Sequence, residues 1–448
     1  MIPARSLPIR FYRFWQAAPL ALILWTCVWC NLNSGWWDFI TPKNLSDWLY
    51  LVRAILPFGV LPVATFILLR RRKLRLPKQA PSRYLMAYGV LALLATVFSP
   101  IPPWSLYWSC TFLAAILAAW TFVDRPDALE SARWLLLATW VATFLVAATI
   151  GYMTHGRVFT ETGSDVLSDL NGLSRSSGVA RWAAVPGLVC LVRAYYTRGW
   201  SLIAFYLAGA AVSFSIVYRM QSRGAVFGVL AALVFALLVS TKMRRYALPF
   251  AFIALVVIMI LESPTALSNR FTVYIERGQD RAEFLTMTGR THTYAQGIAA
   301  FEDAPILGRG QWADRLVFHG HVHNSFLQAL LNAGIIGGIP YFASWITGWM
   351  LFYKLQKKSA RLIPDDRIHL MECGTVMMFF TVRAIPETTT ASFSVDLLVM
   401  VAIYVYLEIL TLKSAAKKLR QVIPQYYVIP SRMRRTETTA TVGTSRLI

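Results

Sequence analysis

Residues Gly308 to Pro340 read GRGQWADRLVFHGHVHNSFLQALLNAGIIGGIP. The stretch closes the longest polar interval of an otherwise apolar chain and ends where apolar sequence resumes. It carries three of the six histidines, His319, His321 and His323, at alternate positions. Ser325 with Gln328 fits an S-x-x-Q capping box, and Phe326, Leu327, Leu330 and Leu331 supply the apolar face behind it. A helix is therefore predicted to start two residues after His323, which puts that imidazole near the positive helix end. Gly334, Gly337, Gly338 and Pro340 are expected to break this short helix before the next apolar run. The pattern reads as a reactive histidine held at a water–lipid boundary.

The rest of the chain supports that boundary. Of 448 residues, 56% are hydrophobic and only 15% charged, with a mean hydropathy of +0.51. Apolar runs of about twenty residues recur, the length that crosses ~30 Å of hydrocarbon. The composition predicts an all-α polytopic membrane protein and excludes a soluble enzyme with an anchor. The net charge of +22 is concentrated in loops. That pattern argues against nucleic acid, which needs a basic face on a soluble domain. It fits anionic membrane lipids and the positive-inside rule. Cys27, Cys30, Cys110, Cys190 and Cys373 all lie in apolar runs, which predicts packing roles and no disulfide framework. Arg5, Arg10 and Arg13 precede the first run without a small-residue cleavage site, so that run reads as a first span.

Twelve spans are predicted, at 15–32, 49–69, 84–100, 105–123, 134–153, 179–197, 200–218, 225–240, 246–261, 335–355, 368–384 and 393–412. The chain thus divides into spans one to nine (1–261), a large loop or cap (262–334), spans ten to twelve (335–412) and a basic tail (413–448). The Arg70–Arg83 window, the Lys242–Arg245 window, the Lys354–Arg367 window and the tail are the basic loops. Alternating spans put all four on the N-terminal side, the cytoplasm. The interval from Glu262 to Asn324 lies opposite, with six arginines and seven carboxylates. It is too long for a bare turn and is expected to form a small helical periplasmic cap, with a helix from Thr286 to Phe301. The end of the tail, beyond about Ser431, lacks core-forming residues and reads as disordered.

Arginines on the outer side run against the positive-inside rule. Arg175 lies in Ser174–Gly178, Arg223 in Gln221–Ala225 and Arg290 in Thr288–Thr291, each window with a glycine. Glycine lets backbone and guanidinium approach one anion together, and guanidinium suits bidentate phosphate contact. With a histidine nearby, they point to a lipid-linked phosphate. The plain alternative is interfacial anchoring, which suffices for Arg181, Arg193 and Arg309. The three-histidine run raises zinc as a further alternative, with a cap carboxylate as fourth ligand, although the spacing follows no familiar zinc pattern. Arg53, Glu372, Arg383, Asp396 and Glu408 are intramembrane charges, which mark function by default. Arg383 is expected to pair with Glu387 and Asp396.

In order, Ser222-Arg223-Gly224-Ala225, Gly289-Arg290, Pro305-Ile306-Leu307-Gly308-Arg309-Gly310, His323-Asn324-Ser325-Phe326-Leu327-Gln328 and Gly334-Ile335-Ile336-Gly337 resemble the bacterial O-antigen ligase and O-antigen (Wzy-type) polymerase superfamily. The core resemblance covers roughly residues 200–345. It implies a GT-C-like membrane glycosyltransferase of the bacterial inner membrane, with both termini cytoplasmic and a periplasmic active site. The implied donor is an undecaprenyl-diphosphate-linked glycan. The implied acceptor is lipid A–core for a ligase or a second lipid-linked glycan for a polymerase. No cofactor and no metal are implied. Arg223 and Arg290 match the family's diphosphate-binding arginines, Arg175 is similar to a further one, and His323 matches the proposed base. His319 and His321 have no counterpart.

The residues suit that chemistry. A neutral imidazole can take the acceptor's proton near pH 7. Arginines can stabilise the diphosphate as it leaves, and nearby cations would keep the histidine unprotonated. One displacement inverts the anomeric centre. A flippase is the rival reading, but transporters place charges near mid-membrane and often show related halves, whereas here the polar residues cluster on one face and no related halves are evident.

Overall fold

The computed structural model describes residues 19–30, 45–70, 76, 77, 79–123, 127–153, 176–220, 222–240, 290–318 and 320–422. Span nine, Arg175, His319, the start of the expected cap helix, the Lys242–Arg245 loop and the end of the tail lie outside these residues, as does the side chain of Arg53. All regular structure among the described residues is helical.

The helices are α1 (Pro19–Cys30), α2 (Leu45–Arg70), α3 (Pro81–Leu94), α4 (Pro102–Trp120), α5 (Ala128–Met153), α6 (Ser176–Tyr196), α7 (Trp200–Arg219), α8 (Arg223–Val239), α9 (Arg290–Glu302), α10 (Ala313–Val317), α11 (Ser325–Gln356), α12 (Pro364–Arg383) and α13 (Val395–Val422). Each expected span within the described residues falls on one of these helices. Among the described residues, five segments are long and apolar enough to cross a membrane by length and composition: Pro81–Phe98, Ala128–Thr149, Trp200–Arg219, Ser325–Gln356 and Val395–Ala415. The described cysteines are all free.

The centre of the bundle is α13. Every residue from Leu397 to Leu410 is buried, as expected of a helix apolar on all sides. It packs against α4, α5 and α11, while α3 lies along α11 and α8 along α12. The short α9 and α10 pack on α11.

Two carboxyl groups within the bundle, Glu372 and Glu408, are engaged. Glu372 accepts from Arg193 Nε at 2.6 Å and Trp140 Nε1 at 3.1 Å, and lies 3.0 Å from His369 Nδ1. Glu408 accepts from the backbone N–H of Ser82 at 2.7 Å and from its hydroxyl at 2.8 Å. That contact gives an N–H group in the first turn of α3, which has no partner within the helix, a carboxyl acceptor. These two carboxylates join helices, so packing accounts for them.

The break in α11 is sharper than the sequence pattern implies. Only Gly334 leaves helical geometry, at φ 60° and ψ −164°. Gly337, Gly338 and Pro340 stay helical, contrary to expectation, and the two glycines are buried in the bundle. The break frees backbone groups, and the Pro305–Gly310 segment takes them up. Ile335 N–H bonds the Pro305 carbonyl at 2.8 Å, Arg309 N–H the Leu331 carbonyl at 2.9 Å, and Gly310 N–H the Asn332 carbonyl at 2.9 Å. Gly308, at φ 71°, lies so close that a Cβ there would sit 2.6 Å from the Ala333 and Gly334 nitrogens. Broken helices persist at membrane depth only where protein re-satisfies the backbone in this way.

Candidate active site

The site is built where the start of α11 meets the loop between α12 and α13. The two are joined by hydrogen bonds. Ser325 N–H bonds the Ala384 carbonyl at 2.9 Å, Thr389 N–H bonds Ser325 Oγ at 2.6 Å, and Asn324 Nδ2 bonds the Ile385 carbonyl at 3.0 Å. The helix cap differs from the expected one. Asn324, not Ser325, is the N-cap, its Oδ1 accepting from Phe326 and Leu327 N–H at 2.9 Å each. Ser325 is already helical and fully buried, so its hydroxyl serves the Thr389 loop instead. Gln328 turns away to Asp314 and Asn332.

His323 immediately precedes this cap in the left-handed region, at φ 48°. A non-glycine residue there marks local strain held by its surroundings. Its Nδ1 lies 3.2 Å from Glu387 Oε2. The other Glu387 oxygen accepts from Arg290 Nη2 at 3.0 Å, and Arg290 Nη1 donates to the Pro386 carbonyl at 2.6 Å. Arg290 is the first residue of α9, and Tyr294, one turn on, donates to the His323 carbonyl at 3.3 Å. One carboxylate thus bridges the imidazole and one of the arginines picked out from the sequence. Burial alone would raise the Glu387 carboxyl. The His323 hydrogen bond and the Arg383, His323 and Arg290 charges outweigh it and hold the carboxyl well below its usual range.

His321 stands beside His323, ring centroids 4.3 Å apart. Its Nδ1 is 3.1 Å from Asp314 Oδ2, which also accepts from Val322 N–H. Burial pushes His321 down to about 4, against the pull of Asp314 and with help from Arg315 and His323. Asp314 is fixed from below. Trp312 stacks on Trp108 at 4.2 Å and 6° and seats α10 on α4, while Gln328 Nε2 donates to Asp314 Oδ1 at 3.0 Å. Asn332 extends the network to Gln311 and Tyr88. Among the described residues, His321, His323 and Glu387 offer ligand atoms that all lie within 4.8 Å of one another, so these three are the group able to hold a metal ion.

Arg223 is the first residue of α8. Arg383 is completely buried, and a Cβ on Gly224, the second residue of α8, would lie 3.7 Å from its Nη1. The expected pairing of Arg383 with Glu387 and Asp396 does not form: none of its three side-chain nitrogens has a hydrogen-bond partner. Glu387 turns to His323 and Arg290 instead, and Asp396 to Arg181 Nη1 at 2.8 Å. Arg181 also reaches toward the Thr388 carbonyl at 3.4 Å, so it belongs to this site and is more than an anchor. Arg309 lies 3.7 Å from Asp303, and the anchor reading suffices for it.

Residues 208–342 match the family model Wzy_C, described as O-Antigen ligase. The match supports the O-antigen ligase and polymerase superfamily, the one that the motifs of this segment resemble. The match supports glycosyltransferase activity of the O-antigen ligase type in a membrane protein. It contains Arg223, Arg290 and His323 and stops short of Glu387. No curated protein matches the chain in a sequence search.

Proposed function

We propose that the protein is an inverting, metal-independent glycosyltransferase that moves a glycan from undecaprenyl diphosphate to an acceptor hydroxyl at the periplasmic face of the inner membrane. The O-antigen ligase reaction, with lipid A–core as acceptor, fits best the single long polar interval that the sequence places ahead of the histidine. The bridge from Glu387 to both His323 and Arg290 carries this reading. With Nδ1–H donated to Glu387, Nε2 is the basic nitrogen, the arrangement in which a carboxylate orients a histidine base. The acceptor oxygen attacks the anomeric carbon as its proton passes to His323. The bond from that carbon to the diphosphate oxygen breaks, and the electron pair leaves with undecaprenyl diphosphate. Arg223 and Arg290, with Arg175, stabilise the charge gained there.

The test is transfer by purified protein given a defined undecaprenyl-diphosphate glycan and either lipid A–core or a second lipid-linked glycan. Transfer to lipid A–core alone is expected. Chain extension of the second lipid-linked glycan would make the protein a polymerase, and movement across the bilayer without transfer would make it a flippase. His323→Ala, Arg223→Ala and Arg290→Ala are each expected to abolish transfer in protein that still inserts.

A further inference from the structure

Arg383 ends α12 with its guanidinium fully enclosed and Nε, Nη1 and Nη2 all without a hydrogen-bond partner. Guanidinium cannot shed its charge, and a buried cation without donors engaged is costly. Packing does not explain it. A buried arginine kept for structure is expected to bond carboxylates or carbonyls, as Arg193 does with Glu372. Arg383 has two carboxylates in its electrostatic neighbourhood, Glu387 and Asp396, and both are bonded elsewhere.

The surroundings favour an anion. Arg181, Arg290 and Arg383 carry three positive charges against two on Glu387 and Asp396, a surplus of one. Arg181 Nε is a further buried donor without a partner. The enclosed guanidinium also adjoins the head of α8, a 17-residue helix whose N-cap, Ser222, gives no side-chain cap. An unpaired guanidinium beside an uncapped helix start is suited to a doubly charged, multi-oxygen ligand.

We propose that Arg383 is a phosphate receptor that engages a diphosphate together with the head of α8, beneath the partly exposed Arg181 and Arg290. The inference rests on the diphosphate-donor reading above and adds to it a residue outside the matched segment. A diphosphate arriving over Arg290 and Arg181 would displace the side chains that enclose Arg383 and take up its free donors.

The experiment measures binding of undecaprenyl diphosphate and of inorganic pyrophosphate to the purified full chain, with the thermal midpoint of each ligand-free protein. Arg383→Met is expected to bind undecaprenyl diphosphate roughly 10–100-fold more weakly, the loss of charge-assisted hydrogen bonds. Its ligand-free midpoint should rise, because an unpaired buried charge has been removed. Arg383→Lys should retain part of the affinity. Weakening in both ligand arms assigns the receptor to the diphosphate itself. Weakening with the lipid alone assigns it to the headgroup as the membrane presents it. Should Arg383→Met not yield monodisperse protein, Gly224→Val fills the space beside Nη1 without removing charge and should weaken binding likewise. Undiminished affinity in either folded variant, or a lowered ligand-free midpoint for Arg383→Met, overturns the proposal while leaving glycan transfer by the wild type untouched. Wild-type protein that neither binds undecaprenyl diphosphate nor transfers glycan overturns the donor reading itself.

Discussion

Glu387 holds His323 from a loop 64 residues further along the chain, its Oε2 3.2 Å from the imidazole Nδ1. The other oxygen of the same carboxylate is bonded to Arg290 at 3.0 Å. Orientation of the proposed base and placement of a phosphate-directed cation therefore depend on one side chain. Glu387→Gln keeps the shape, and its amide can still accept from either partner, but it loses the charge. We expect kcat to fall roughly 10²–10⁴-fold, the range set by losing a general base and by amidating the carboxylate behind one. Donor KM should rise as well, because Arg290 loses its ion pair. Steady-state transfer kinetics give both numbers. A Glu387→Gln enzyme with wild-type kcat would mean that His323 needs no orienting carboxylate.

His321 has a different task. Its pKa is lowered to about 4, chiefly by burial, so the folded state favours the neutral ring. A histidine depressed on folding contributes stability that is fully present above its unfolded value near 6.5 and is lost as pH falls toward 4. The drop from 6.5 to about 4 corresponds to an effect on the order of 3 kcal/mol. Thermal midpoints of detergent-solubilised wild type should decline between pH 6.5 and 4. His321→Gln should flatten that decline while being less stable at pH 7, since Asp314 loses its ring partner. An unchanged acid slope in the variant would remove His321 from the account.

Much of this was legible in the sequence, for local reasons. His323 precedes a helix and Arg290 opens one, and polar capping residues after the first and a glycine before the second mark both places in the sequence. Glu387 had no such signal, because a single carboxylate in Pro386-Glu387-Thr388 acquires meaning only when α12 returns beside α11. Asp314 was hidden among the balanced charges between Glu262 and Asn324, and only the Trp312–Trp108 stack brings it under His321. Arg181 looked like an anchor because its partner, Asp396, lies 215 residues away. Periodicity located α13 as a span but not as the central one. A lipid-facing helix and one enclosed by other helices can both be apolar on every face, so only the packing tells them apart.

Gly334 tests the broken helix. Its φ of 60° disfavours any L side chain, and a Cβ there would run into the Ile306 carbonyl. Gly334→Ala should cost about 1–3 kcal/mol from the backbone alone, with the collision in addition. Because Pro305–Gly310 hydrogen-bonds both sides of the break, the substitution should also disturb the segment that leads to Asp314 and His321. The expected result is a lower thermal midpoint and a lower yield of monodisperse protein. Gly199→Ala is the control: φ is again positive, at 110°, but no atom lies within 4 Å of the new Cβ, so only the backbone term applies. Equal losses in the two variants would show that the packed loop adds nothing to the break.

The last prediction separates the two uses to which the imidazoles lend themselves. His321, His323 and Glu387 are close enough to ligate one ion, and Asp314 behind His321 resembles the carboxylate that orients a metal-bound histidine. Charge opposes a resident cation. Glu387 already neutralises Arg290, and Arg383 adds a further positive charge to its surroundings. Transfer should therefore survive prolonged treatment with a strong chelator. Added zinc should inhibit, because an ion on His323 takes the nitrogen pair needed for proton transfer. His321→Ala should blunt that inhibition by removing one ligand while retaining measurable transfer. Activity lost to the chelator and restored by zinc would reverse the assignment, making His323 a ligand and the metal the source of the activated acceptor.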